Sequence, residues 1–168
     1  GVIENCIFWE TRTAVLNLQG FTGLFINKCN AWNTTDSTRG IFWQYGNGLW
    51  ISDTDLMKCG SAFVVSPGAG QTAKFLLTNN LSLDTCSGYG LQVTGAGSMQ
   101  YWQLNNLHIS SCYNNIAMYS AAALNNVYFT NLRLISAKAS GAYLEGITDV
   151  LFQGGNIEAS NQSNGAGA

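Results

Sequence analysis

Core-type residues recur along this chain in pairs two apart, with a three-residue step between one pair and the next. Leu49, Ile51, Thr54 and Leu56 precede Cys59 in this spacing, and Trp102, Leu104, Leu107 and Ile109 precede Cys112 in the same places. Val127, Phe129, Leu132 and Leu134 stand likewise before Ala137, and Val150, Phe152, Gly155 and Ile157 before Ser160. Alternation of period two marks a strand, so the two-three-two spacing predicts two short strands joined by a one-residue bend. A third apolar pair follows each reference residue: Phe63 and Val65, Leu91 and Val93, Ile116 and Met118, Ala142 and Leu144. Variable turns such as "SPGAGQTA", "TGAGSMQ" and "SAAALNN" then lead to the next repeat.

The bend column carries the sharpest signal. Six positions before each reference residue stand Gly23, Asp53, Asn80, Asn106, Asn131 and Gly154. These residue types tolerate a left-handed backbone, so a structural turn ladder would select them. Taken as the reference, Cys6, Cys29, Cys59, Cys86 and Cys112 fall at intervals of roughly 23 to 30 residues, a solenoid period. The expected fold is all-β, a single-stranded parallel β-helix with three short strands and about 25 residues per coil, each strand pairing with its copy one coil away. It covers 1–160, with 161–168 a flexible tail or the start of a further segment. A sandwich predicts no whole-coil register, and a propeller blade is too long for the beat.

Composition agrees. Only 10% of residues are charged, and polarity comes instead from 19 Gly and many Asn, Ser and Thr. The net charge of −2 leaves no basic surface for a phosphate backbone, so nucleic acid is excluded as a partner. No apolar run is long enough to span a bilayer, and no membrane insertion is expected. The odd number of cysteines, none in a CxxC pair, argues against both a disulfide framework and a metal site. In register they form a buried stack of reduced thiols filling the solenoid, and no cofactor is called for.

A three-sheet coil with an Asn ladder at a tight bend resembles the right-handed parallel β-helices of the pectate-lyase-like superfamily. Low charge, Asn/Gly/Ser richness and aromatic content look most like bacteriophage tailspikes and tail appendages. The resemblance covers Val2 to Ser160. It implies a homotrimer that attaches to bacterial surface polysaccharide, located in the virion tail; a bacterial cell-surface or secreted passenger shares the fold. The paired Asp-Asp with Gly-His-Gly of polygalacturonases is missing, as is the calcium cluster of pectate lyases. The chain opens in mid-coil and ends in "NQSNGAGA", which reads as a segment of a longer polypeptide.

Residues between the core positions face outward. On the first strand these are Trp50, Leu77, Gln103, Tyr128 and Leu151, an apolar file suited to an oligomer interface. On the second strand they are polar: Asp55, Ser82, His108, Arg133 and Asn156, with Asp84, Ser110 and Glu158 two residues along. Asp55 and Asp84 fall on adjacent coils, about 8 Å apart at Cα, a separation open to a glycoside-hydrolysing carboxyl pair. His108 and Arg133 suit sugar hydroxyls or acidic sugars. The insertion "NAWNTTDSTRG" places Trp32, Asp36 and Arg39 beside Trp43 and Tyr45; Trp32 and Trp43 are substrate-binding candidates, with a loop folded back on the coil as the plainer reading. Two functions follow: a structural, receptor-binding segment, or a polysaccharide depolymerase acting through Asp55 and Asp84.

Overall fold

A computed structural model describes residues 1–32, 38–119, 123–145 and 147–158. The described chain is all β, a parallel solenoid of about six turns with roughly 25 residues per coil. Its long strands are β3 (Ala14–Asn27), β5 (Arg39–Met57), β7 (Thr72–Asp84), β9 (Ser98–Ser110), β11 (Ala123–Ile135) and β13 (Val150–Glu158). Each pairs in parallel with its copy on the neighbouring coil and bends at a corner, so that it belongs to two faces of the coil. The shorter β6 (Ser61–Val65), β8 (Tyr89–Val93), β10 (Asn114–Met118) and β12 (Ser140–Leu144) stack as a third face. At the N-terminal end, β1 (Val2–Glu4) and β2 (Ile7–Trp9) pair with β3 and with β4 (Asn30–Trp32).

Two inward columns per face build the core. On the first face they are Leu24, Leu49, Leu76, Trp102, Val127 and Val150, and Ile3, Ile26, Ile51, Thr78, Leu104, Phe129 and Phe152. On the third face Ile41, Phe63, Leu91 and Ile116 form one file and Trp43, Val65, Val93 and Met118 another, all buried. Like stacks on like, and each fully buried Leu or Phe contributes about 1.5–3 kcal/mol. Trp43 and Trp102 stack with ring centroids 5.9 Å apart, and Trp102 Nε1 donates to the Ala73 carbonyl at 3.1 Å.

The corners explain the bend residues. Asn5, Lys28, Asp53, Asn80, Asn106, Asn131 and Gly154 all have positive φ and lie in register at the corner between the first and second faces. The side chains of Asp53, Asn80, Asn106 and Asn131 form an exposed ladder. Asn131 Nδ2 donates to Asn106 Oδ1 at 2.8 Å, Asn106 Nδ2 to Asn80 Oδ1 at 3.2 Å, and Asn80 Nδ2 to Asp53 Oδ1 at 2.9 Å. Gly23 is not a member. It shares a different positive-φ corner with Gly48, Phe75, Tyr101, Asn126 and Asp149, and Lys28 takes its place in the corner column.

The cysteine file is likewise corrected. Cys59, Cys86 and Cys112 align with one another and with Ala137, but Cys6 and Cys29 align with Thr54, Leu81 and Leu107, one strand earlier in the coil. The stack is therefore two short files. All five thiols are free, four are buried, and Cys6 is only partly so. Hydrogen bonding of the neutral Cys86 thiol with Cys112, followed by burial, pushes the Cys86 thiol up; burial does the same for Cys29. Small and nearly apolar, a thiol, a Thr methyl and a Leu all fill the same inward place.

Candidate functional site

The outer columns divide into an apolar face and a polar face. On the first face Val2, Phe25, Trp50, Leu77, Gln103, Tyr128 and Leu151 stand in strict register, so the predicted file is continuous and extends two coils further than expected. Beside it the corner residues Phe75 and Tyr101 stack at 5.2 Å, with Lys74 Nζ 5.0 Å from the Phe75 ring centre. An open groove of about 440 Å³ runs between Trp50, Phe75, Leu77, Tyr101, Gln103 and Tyr128. Leu77 keeps 36% and Tyr128 40% of its surface exposed, which is costly for apolar side chains left uncovered in file. Phe25 and Trp50 stack at 4.6 Å with planes 9° apart, so one face of each ring covers the other, while Phe25 stays exposed.

The polar face carries the residues predicted for sugar chemistry. Asn30, Asp55, Ser82, His108, Arg133 and Asn156 form one outward column; Trp32, Met57, Asp84, Ser110, Ile135 and Glu158 form the next. Asp55 and Asp84 do lie diagonally on adjacent coils, since Asp55 pairs with Ser82 and Met57 with Asp84. Asp84 Oδ1 accepts from Ser110 Oγ at 2.7 Å, and the Asn30 amide nitrogen donates to Asp55 Oδ2 at 3.2 Å. Both carboxylates are half-buried members of an open sheet, each engaged by a neighbouring coil. His108 and Arg133 pair in register on adjacent coils. With Asn106, Leu107 and Asn131 they line a shallow cleft of about 180 Å³ beside the amide ladder.

The two tryptophan candidates part company. Trp32 lies on β4 in the outward column, exposed and stacked on Trp9 at 6.1 Å. Trp43 is fully buried, because β5 carries it into the third-face core between Leu18 and Val65. It is unable to touch a glycan, so the substrate-binding role expected of Trp43 does not hold. Arg39 lies at the start of β5 with its guanidinium 4.2 Å over the Phe42 ring, and Asp36 lies outside the described residues. The 161–168 tail lies outside them as well.

Sequence reasoning missed Phe25, Phe75 and Tyr101 on the apolar face and the contribution of Asn106 and Asn131 to the polar cleft. Phe25 was within reach, since it precedes Trp50 by one coil. Phe75 and Tyr101 were not, because aromatic residues rarely occupy positive φ, here 57° and 59°. A tyrosine cluster on the third face was also unforeseen: Tyr119 donates to the Tyr89 hydroxyl at 3.1 Å, which, with burial and the Tyr143 and Glu145 charges, pushes Tyr119 up to about 12. Among the described residues no group of three or more His, Cys, Asp or Glu is arranged to hold a metal ion, and no helix is long and apolar enough to cross a membrane. Comparison with protein-family models, curated proteins and solved structures returned no match.

Proposed function

We propose that the chain is a structural and receptor-binding β-solenoid segment of a bacteriophage tailspike or tail fibre, which attaches the virion tail to bacterial surface polysaccharide. The observation that carries this reading is the division of the outer surface. One face presents a file of polar and charged side chains along the solenoid axis, with the cleft at His108 and Arg133 open to a polymer. The opposed need of the apolar file on the first face is cover, and a homotrimer packed along Trp50, Leu77, Gln103, Tyr128 and Leu151 supplies it. The resemblance to pectate-lyase-like solenoids and to tailspikes supports both assignments.

The test is retention of purified bacterial capsule and lipopolysaccharide by the immobilised protein. Retention without release of reducing ends is the expected result; failure to retain any of a broad panel refutes the attachment reading. The diagonal pair Asp55 and Asp84 keeps a second reading open, that of a depolymerase. A carboxyl pair on an open sheet lacks the water-excluding walls that favour glycoside cleavage, and Asp84 already spends one oxygen on Ser110. Release of reducing ends that vanishes in both Asp55→Asn and Asp84→Asn would establish hydrolysis in its place.

A further inference from the structure

The amide ladder has a direction. Every bond in it is donated toward the N-terminal coil, from Asn131 to Asn106 to Asn80, and the run ends on the Asp53 carboxylate. At the other end the next corner residue is Gly154, which has no side chain to donate back. Asn131 Oδ1 is thereby left as an acceptor facing solvent, beside the cleft. Across that cleft stand His108 and Arg133, and neither side chain has a hydrogen-bond or ion-pair partner among the described residues. The acidic groups that flank them on the same face are engaged elsewhere: Asp84 accepts from Ser110, one coil away, and Glu158 accepts from Asn156. Asp55 lies two coils from His108, beyond Ser82.

The cleft therefore offers a planar fork of guanidinium donors, an imidazole and one amide oxygen. A volume of about 180 Å³ is below the roughly 300 Å³ of sites that enclose drug-sized ligands, and matches one sugar ring with its substituents. The geometry points to a subsite for a carboxylate-bearing sugar, a uronic acid residue of an acidic polysaccharide. Its carboxylate docks against Arg133 with His108 alongside, and a neighbouring ring hydroxyl donates to Asn131 Oδ1. This deepens the attachment reading and rests on it. Because His108 and Arg133 lie on successive coils about 4.8 Å apart, the polymer would run along the solenoid axis, with the residues on either side of the uronate over Ser82 and Asn156.

His108 is the single histidine of the chain, so its ring protons give isolated lines in a proton NMR spectrum. At constant pH, sodium glucuronate is expected to shift those lines saturably, while glucose and the methyl ester of glucuronate leave them in place. Arg133→Gln removes an exposed side chain and should keep the fold, yet weaken the response by about tenfold, the loss expected for one charge-assisted pair. Arg133→Lys, which keeps the charge and loses the fork, should fall between. An equal response to the methyl ester or to glucose overturns the inference, as does a response unchanged in Arg133→Gln or matched by inorganic phosphate. Retention of neutral polysaccharide without a glucuronate response would sink the uronate subsite alone. A glucuronate response without retention of any polymer would instead sink the attachment reading.

Discussion

Replacing Asn106 separates what its backbone does from what its side chain does. The residue sits at φ 50°, donates to Asn79 Oδ1 at 3.1 Å and Asn80 Oδ1 at 3.2 Å, and accepts from Asn131 at 2.8 Å. Alanine forfeits the three exposed amide bonds, about 0.5 kcal/mol each, and must also hold a left-handed backbone at about 1 kcal/mol, for a total near 2.5 kcal/mol. Glycine forfeits the same bonds but adopts the bend freely, so its loss should be nearer 1.5 kcal/mol. The neighbouring Asn105, outward on the first face and not at positive φ, supplies the control. There alanine should be the more stable variant by about 0.5–1 kcal/mol, since glycine weakens an ordinary strand. Urea titrations of the four variants measure the differences, and a melting shift of about 2–4 °C per kcal/mol gives a second reading. If Asn106→Ala proves as stable as Asn106→Gly, the left-handed corner is not what selects these residues.

Other perturbations test other parts of the molecule. Gly90→Ala is a small change in sequence, but the added methyl would meet the Asn115 carbonyl oxygen at 2.7 Å and Ile109 Cγ2 closer still; a loss of about 1–3 kcal/mol is expected, and a neutral effect in calorimetry would contradict the packing. The Cys86 thiol is raised above its ordinary 9.0 when folded, so its stabilising share is intact below that value and is lost as the unfolded thiol ionises above it. Urea stability should therefore decline above about pH 9 by up to 1.4 kcal/mol per pH unit, less steeply in Cys86→Ala; stability that rises with pH would refute this. Leu77→Glu places a charge in the middle of the apolar file and should shift the proposed trimer to monomers in sedimentation at equal concentration, whereas an unchanged mass would remove that face from any assembly.

Much of the coil was readable because its constraints are local and repeat. Period-two alternation, a residue tolerant of positive φ at the bend, and constant spacing place Asp53, Asn80, Asn106 and Asn131 in one ladder and Trp50 through Leu151 in one file without any tertiary information. The first coils were misplaced for a physical reason. An inward position asks only for a small or apolar side chain, so Cys29 fits the column of Thr54 as well as that of Cys59, and the choice of reference residue moved the register by one strand. Lys28 at φ 51° hid the true corner, since lysine seldom marks a left-handed bend. Trp43 was misjudged by its proximity to an insertion, although Ile41 and Trp43 repeat the spacing of Phe63 and Val65. At the cleft, His108 and Arg133 were visible as outward neighbours, but the free end of the ladder beside them depends on which way each amide points, and that belongs to the folded coil.

Because each strand hydrogen-bonds only to its copies above and below, tension applied along the solenoid axis falls on those rung-to-rung bonds, while tension across it is carried by covalent backbone. A load directed along the axis would peel one turn at a time from an end, each turn yielding on its own. A load directed sideways would meet a stiff beam.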